Sequence, residues 1–204
     1  MVKASHNHEQ QILEMARKQT LLRARDLAEH GLPTMSLSRL VAAGKLQRVT
    51  RGVYSLPQRP ISAHRSLAEV AIRVPRGVVC LLSALRLHEI GTQAPFEVWL
   101  AIPQSMPVPR MEQPALRVVR MSGNALSEGI ERVEVDGISV PVFNPAKTVV
   151  DCFKYRNKIG LDVALEALSE AWRARRVTMD ELWHYATIDR VHNVMRPYLE
   201  ALGV

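Results

Sequence analysis

The chain holds little of what marks several large protein classes. Only two of its 204 residues are cysteines, Cys80 and Cys152, each set among apolar neighbours. Without a Cys-x-x-Cys pair, a zinc ribbon or finger is excluded, and two buried free thiols in a reducing compartment fit better than a disulfide. No apolar run approaches the about 18 residues that a membrane span needs. The polar stretch Met1 to Gln11 carries no signal-peptide core, so a soluble cytoplasmic protein without membrane partners is the default expectation. Internal repeats and low-complexity tracts are lacking. So are Gly-x-x-x-x-Gly-Lys, a nucleophile elbow and His-Glu-x-x-His, which removes the most readable phosphate-loop, hydrolase and metalloprotease signatures.

What is present is ordinary globular material, 47% hydrophobic and 23% charged, long enough for one large domain or two small ones. The formal net charge of +7 is placed unevenly. Residues 1–60 hold ten Lys and Arg against four acids, a net +6, whereas residues 61–204 hold seventeen against sixteen. A basic module joined to a near-neutral one is the electrostatic footprint of phosphate contact.

The basic module reads as helices followed by a ribbon. Residues 8–18 form a first helix with Ile12, Leu13 and Ala16 on one stripe, and residues 24–30 a second with Leu27 and Ala28 inward. Gly31 closes that helix, Leu32-Pro33 turns the chain, and Thr34 caps a third helix whose Leu37, Leu40 and Val41 fall at i, i+3, i+4. Two short helices joined by Gly-Leu-Pro-Thr have helix-turn-helix spacing. After Gly44 the period becomes two, with a turn at Thr50-Arg51-Gly52, which makes the motif a winged one. In this geometry the second helix of the pair enters the major groove. Its polar face offers Thr34, Ser36, Ser38 and Arg39, and the planar fork of Arg39 suits a guanine edge. Lys45, Arg48 and Arg51 fall on the wing, suited to phosphates or the minor groove.

Pro57 to Pro60 breaks the periodicity as a linker, dividing a DNA-binding domain at 1–57 from a second domain at 61–204. The second begins with a helix over 66–74 and another over 82–89. Strands follow at 96–102, 116–121, 130–135 and 138–142, the last two joined by Asp136-Gly137. Pro103 to Pro114 reads as an exposed loop. From Asn144, an N-cap followed by proline, the pattern is helical: Val149, Val150 and Phe153 line one helix, Leu161 to Arg175 forms the next, Thr178 to Glu181 is a capping box, and residues 189–202 form the last. The expected fold class is therefore α+β: an N-terminal winged helix-turn-helix, then an α/β domain with a small, mostly antiparallel sheet and a helical C-terminal part.

Chemistry in the second domain is weakly signalled. His184, Asp189 and His192 have a spacing that resembles a metal site, but the histidines are eight apart and the segment breaks near Thr187-Ile188, so a shared face is not assured and core or surface roles are the better reading. Lys147, Asp151 and Lys154 lie at i, i+4, i+7, where a salt bridge is a better reading than a phosphate cradle. Arg173, Arg175 and Arg176 cluster at a helix end, fit to offset its dipole or to extend a nucleic-acid surface. The expectation is no catalytic residue, no metal and no cofactor.

Taken together, four segments resemble the AbiEi family of antitoxin-type transcriptional regulators from type IV toxin–antitoxin and abortive-infection systems. They are Asp26-Leu-Ala-Glu-His-Gly31, Leu40-Val-Ala-Ala-Gly-Lys-Leu-Gln-Arg-Val-Thr-Arg-Gly-Val-Tyr54, Leu82-Ser-Ala-Leu-Arg-Leu-His88 and Asn144-Pro-Ala-Lys-Thr-Val-Val-Asp-Cys-Phe153. The resemblance implies a winged helix that binds inverted repeats in its own promoter, as monomer or dimer, and represses its own operon. It also implies an α/β domain needed for antitoxicity, and a nucleotidyltransferase-type toxin as functional partner, countered without necessarily forming a stable complex. Two other readings stand beside it: a nucleic-acid-processing enzyme targeted by its winged helix, and a module that binds a toxin directly.

Overall fold

The computed structural model describes residues 2–19, 21–57 and 64–202. The expected linker lies outside the described residues apart from Pro57. The chain divides into two compact units, one of residues 1–65 with 134–138, the other of 66–133 with 139–204.

In the first unit, apolar residues at helical spacing meet in one small core. Helix α1 (Val2–Lys18) starts well before the expected residue 8 and buries Ile12 and Ala16. Helix α2 (Ala24–Glu29) contributes Leu27, and α3 (Met35–Ala42) contributes Leu37 and Leu40, with Leu22, Leu32 and Leu46 closing the cluster. Ala28, expected inward, is exposed, because a six-residue helix has room for little more than one inward position. Strands β2 (Gln47–Thr50) and β3 (Val53–Ser55) make the expected hairpin, with a register shift between Arg48 and Thr50. A third strand, β1 (Leu22–Arg23), pairs antiparallel with β3, giving the order β1-β3-β2. The order helix, strand, helix, helix, hairpin is that of a winged helix.

The second unit is built on a five-stranded sheet. Helix α4 (Arg65–Arg73) leads to β4 (Val78–Val79), α5 (Leu81–Leu87), β5 (Val98–Pro103) and β6 (Leu116–Met121). The short α6 (Asn124–Ser127), β7 (Ile130–Val135) and β8 (Ile138–Phe143) follow. The strand order is β6-β5-β4-β8-β7. The sheet is mixed rather than mostly antiparallel: β4 pairs antiparallel with β5, but β5 with β6 and β4 with β8 are parallel. The stretch after Pro103 is the reason. It is long enough to be a crossover, and a parallel neighbour requires one of about a dozen residues. Arg120 ties it down, its Nη1 donating to the carbonyls of Gln104 at 2.6 Å and Met106 at 2.8 Å.

Five helices complete this unit: α7 (Pro145–Lys154), α8 (Arg156–Ile159), α9 (Leu161–Arg173), α10 (Met179–Ile188) and α11 (His192–Leu202). Asn144 caps α7 by accepting from the Lys147 backbone N–H at 2.8 Å, and Thr178 with Glu181 forms the capping box of α10. Helix α7 is buried on every side from Ala146 to Phe153, more completely than the expected stripe of Val149, Val150 and Phe153. A helix apolar on one face becomes central only when neighbours supply partners for its polar face.

Candidate nucleic-acid interface

Backbone chemistry fixes the angle between α2 and α3. The N–H of Gly31 bonds to the carbonyl of Ala28 and that of Leu32 to Leu27, a reverse-turn cap that needs a left-handed residue, and Gly31 sits at φ +67°. Gly44, at φ +68°, ends α3 the same way, with Gly44 bonded to Val41 and Lys45 to Leu40. Buried Asp26 holds the start of α2, its carboxylate accepting from the Arg23 backbone N–H at 3.1 Å and Nε at 3.0 Å. The wing is latched where the Ala24 N–H donates to the Gly52 carbonyl at 2.8 Å.

With the frame set, burial sorts the side chains of α3. Ser36, Leu37 and Leu40 face inward. Met35, Ser38, Arg39 and Ala42 form the outward stripe, at i, i+3, i+4, i+7, with Thr34 exposed just before them. Of the residues expected to meet DNA, Thr34 just before α3, Ser38 and Arg39 on it, Lys45 between α3 and β2, and Arg48 and Arg51 on the ribbon are all exposed. Ser36 is not: at 4% exposure it packs inward, because its position next to Leu37 and one turn before Leu40 puts it on the buried side. Met35, which the polarity of the stretch left unassigned, takes its place on the surface at 72% exposure. Its signal was position, three and four residues before Ser38 and Arg39.

The second unit gathers a different set of charges. Lys147 is 0% exposed and donates from Nζ to Asp151 Oδ1 at 2.5 Å and to Asp189 Oδ2 at 3.0 Å. Lys154 reaches Asp189 Oδ1 at 2.8 Å. Burial pulls the Lys147 ammonium down, but the two carboxylates beside it outweigh this and hold its pKa above the ordinary lysine value. The carboxyls part company. Burial, with the charge of nearby Asp189, pushes Asp151 well up against the pull of Lys147. Burial also acts on Asp189, but its hydrogen bonds and both ammonium groups hold its pKa below the usual carboxylate value.

This network absorbs the residues whose spacing hinted at chemistry. Lys147 and Asp151 form the i, i+4 salt bridge, with Asp189 as the long-range member that spacing along α7 did not reveal. Asp189 is thereby drawn away from the histidines: His184 Nε2 pairs with Glu128 at 2.8 Å, and His192 Nδ1 is buried without a partner. Among the described residues no group of three or more His, Cys, Asp or Glu could hold a metal ion. Cys80 stands between β4 and α5 at a sharp corner, where Leu81 has φ +46°, but burial raises its thiol well above the ordinary value. Such a thiol is a packing group rather than a nucleophile. Arg176 donates to the carbonyl of His88, the C-cap of α5, while Arg173 and Arg175 are exposed.

Residues 10–57 match the family model described as transcriptional regulator, AbiEi antitoxin. This is the stretch that contains α2, α3 and the ribbon, and the match supports a regulator or antitoxin role. No curated protein matches the chain. Among solved structures, the crystal structure of the RV2827C protein from Mycobacterium tuberculosis is similar, with a TM-score of 0.57 and 15% identity over 86% of this chain and 69% of that one. At that identity the likeness concerns the fold. Among the described residues, no helix is long and apolar enough to cross a membrane.

Proposed function

We propose that this protein is a sequence-specific binder of double-stranded DNA that represses its own operon. In the same proposal it is the antitoxin of a type IV system, countering a nucleotidyltransferase-type toxin without requiring a stable complex. Residues 1–57 are the DNA-binding domain and 61–204 the antitoxin domain, acting in the cytoplasm without catalysis of their own. The observation that carries the reading is the outward stripe of α3 beside an arginine-bearing ribbon, in the part of the chain that holds +6 of the +7 net charge. A helix presents base-reading side chains to the major groove while cations on the ribbon meet the phosphates.

Arg39 and Arg48 divide these tasks. Arg39 stands in the stripe, so Arg39→Ala removes a bidentate contact with guanine and lowers discrimination at one position by about 1–3 kcal/mol. Arg48 stands on the ribbon, so Arg48→Ala weakens all duplexes nearly uniformly. Gel shifts with the protein's own promoter and with scrambled DNA test this. Both variants matching wild type on both duplexes would end the proposal. Antitoxicity is tested by growth of cells co-expressing the neighbouring open reading frame, and requires that frame to be toxic alone and harmless with this chain.

A further inference from the structure

Five large hydrophobic side chains stand exposed among the described residues, and Met35 is the one in the first unit. It is 72% exposed, at the first position of α3, on the stripe that Ser38, Arg39 and Ala42 continue. A solitary surface apolar group needs no explanation in general. This one stands within one turn of Arg39, with Lys45 after the helix and Arg48 and Arg51 on the ribbon all exposed beyond, so its surroundings are complementary in charge to a polyanion. The major groove of DNA offers such a side chain one apolar group, the C5-methyl of thymine, and the first residues of a recognition helix are those that reach base edges. The thioether side chain is unbranched and polarizable, able to settle on a methyl without a fixed hydrogen-bond geometry.

We infer that Met35 is a specificity-determining residue that reads a thymine methyl in the major groove. This rests on the DNA-binding reading above and sharpens it. Met35 and Arg39 are four residues apart, a rise of about 6 Å along the helix. The thymine read by Met35 therefore lies within about two base pairs of the guanine read by Arg39. The site has one apolar and one cationic reader a helical turn apart, with Ser38 between them tolerant of either hydroxyl-accepting edge.

The test uses the full chain and random-sequence duplexes, from which the wild type selects its site. Each thymine in that site is then replaced singly by deoxyuridine, which lacks only the methyl. One position is expected to lose about fourfold in wild-type affinity, the value of one buried methyl-sized group. Met35→Ala should show no loss there and relaxed selection at that pair, while Met35→Leu, which keeps an apolar surface, should retain the preference. Equal thermal midpoints of Met35→Ala and wild type check that the fold is intact, as expected for so exposed a residue. If the wild type selects a site but no deoxyuridine weakens it, or Met35→Ala shows the same methyl dependence, the role of Met35 is overturned while DNA binding stands. If the wild type enriches no site at all, both readings fall together.

Discussion

Lys147 shows how much one buried charge is asked to do. Its ammonium is 0% exposed, bonded to Asp151 and Asp189, and lies 4.7 Å from the centre of the Phe143 ring. Gly129, at φ +74°, leaves room for it: a Cβ there would sit 2.8 Å from the Lys147 Cβ. Replacing the lysine with methionine fills the space but leaves the carboxyls of Asp151 and Asp189 facing each other with Lys154 as their remaining ammonium. Breaking a buried pair from one side costs about 3–5 kcal/mol. Lys147→Met should therefore lower the unfolding free energy by that amount in guanidinium titration, and adding Asp151→Leu should restore part of it. A loss under 1 kcal/mol for the single variant would mean that the network contributes little.

At the scale of elements, the same helix-ending geometry recurs with different residues. Glycine supplies the left-handed position after α2 and α3, but Glu89, Arg175 and Arg190 occupy it after α5, α9 and α10, at φ +55°, +53° and +57°. The bonds are complete in each case: Arg175 donates to the Trp172 carbonyl and Arg176 to that of Ala171. A side chain in that region is strained by about 1 kcal/mol relative to glycine. Arg175→Gly is expected to raise stability by about 0.5–1 kcal/mol, read as an upward shift in thermal midpoint. Gly44→Ala, at a site with open space around the added Cβ, should lower it through backbone strain alone. An unchanged midpoint for Arg175→Gly would show that its guanidinium offsets the strain through the α9 dipole.

For the whole molecule, charge is handled differently in the two units. The first holds the exposed cations of α3 and the ribbon, and the second keeps Lys147 and Lys154 on buried carboxylates and the guanidinium groups of Arg73, Arg120, Arg156 and Arg176 on backbone carbonyls. The salt dependence of DNA binding should follow that division. Arg48→Gln is expected to reduce the slope of log K against log salt by about one, whereas Arg173→Gln with Arg175→Gln leaves it unchanged. A reduced slope for the double variant, measured by titration at several salt concentrations, would bring the end of α9 into the nucleic-acid surface.

The sequence alone determined whatever depends on near neighbours. The Asn144 and Thr178 caps, the Gly31 and Gly44 stops, the hairpin about Arg51-Gly52 and the concentration of charge in residues 1–60 all follow from local conformational preference and composition. Tertiary structure decided what depends on partners far along the chain. Two residues at Leu22–Arg23 have no period to read and become a strand only because β3 satisfies their backbone. The parallel pairings, the burial of α7 from Ala146 to Phe153 and the arrival of Asp189 beside Lys147 required the folded sheet and helices to exist first. So did the choice between Ser36 and Met35 on α3. Polarity in the sequence favoured the serine, but the packing of Leu37 and Leu40 sets the rotation of the helix, and that rotation turns the methionine outward.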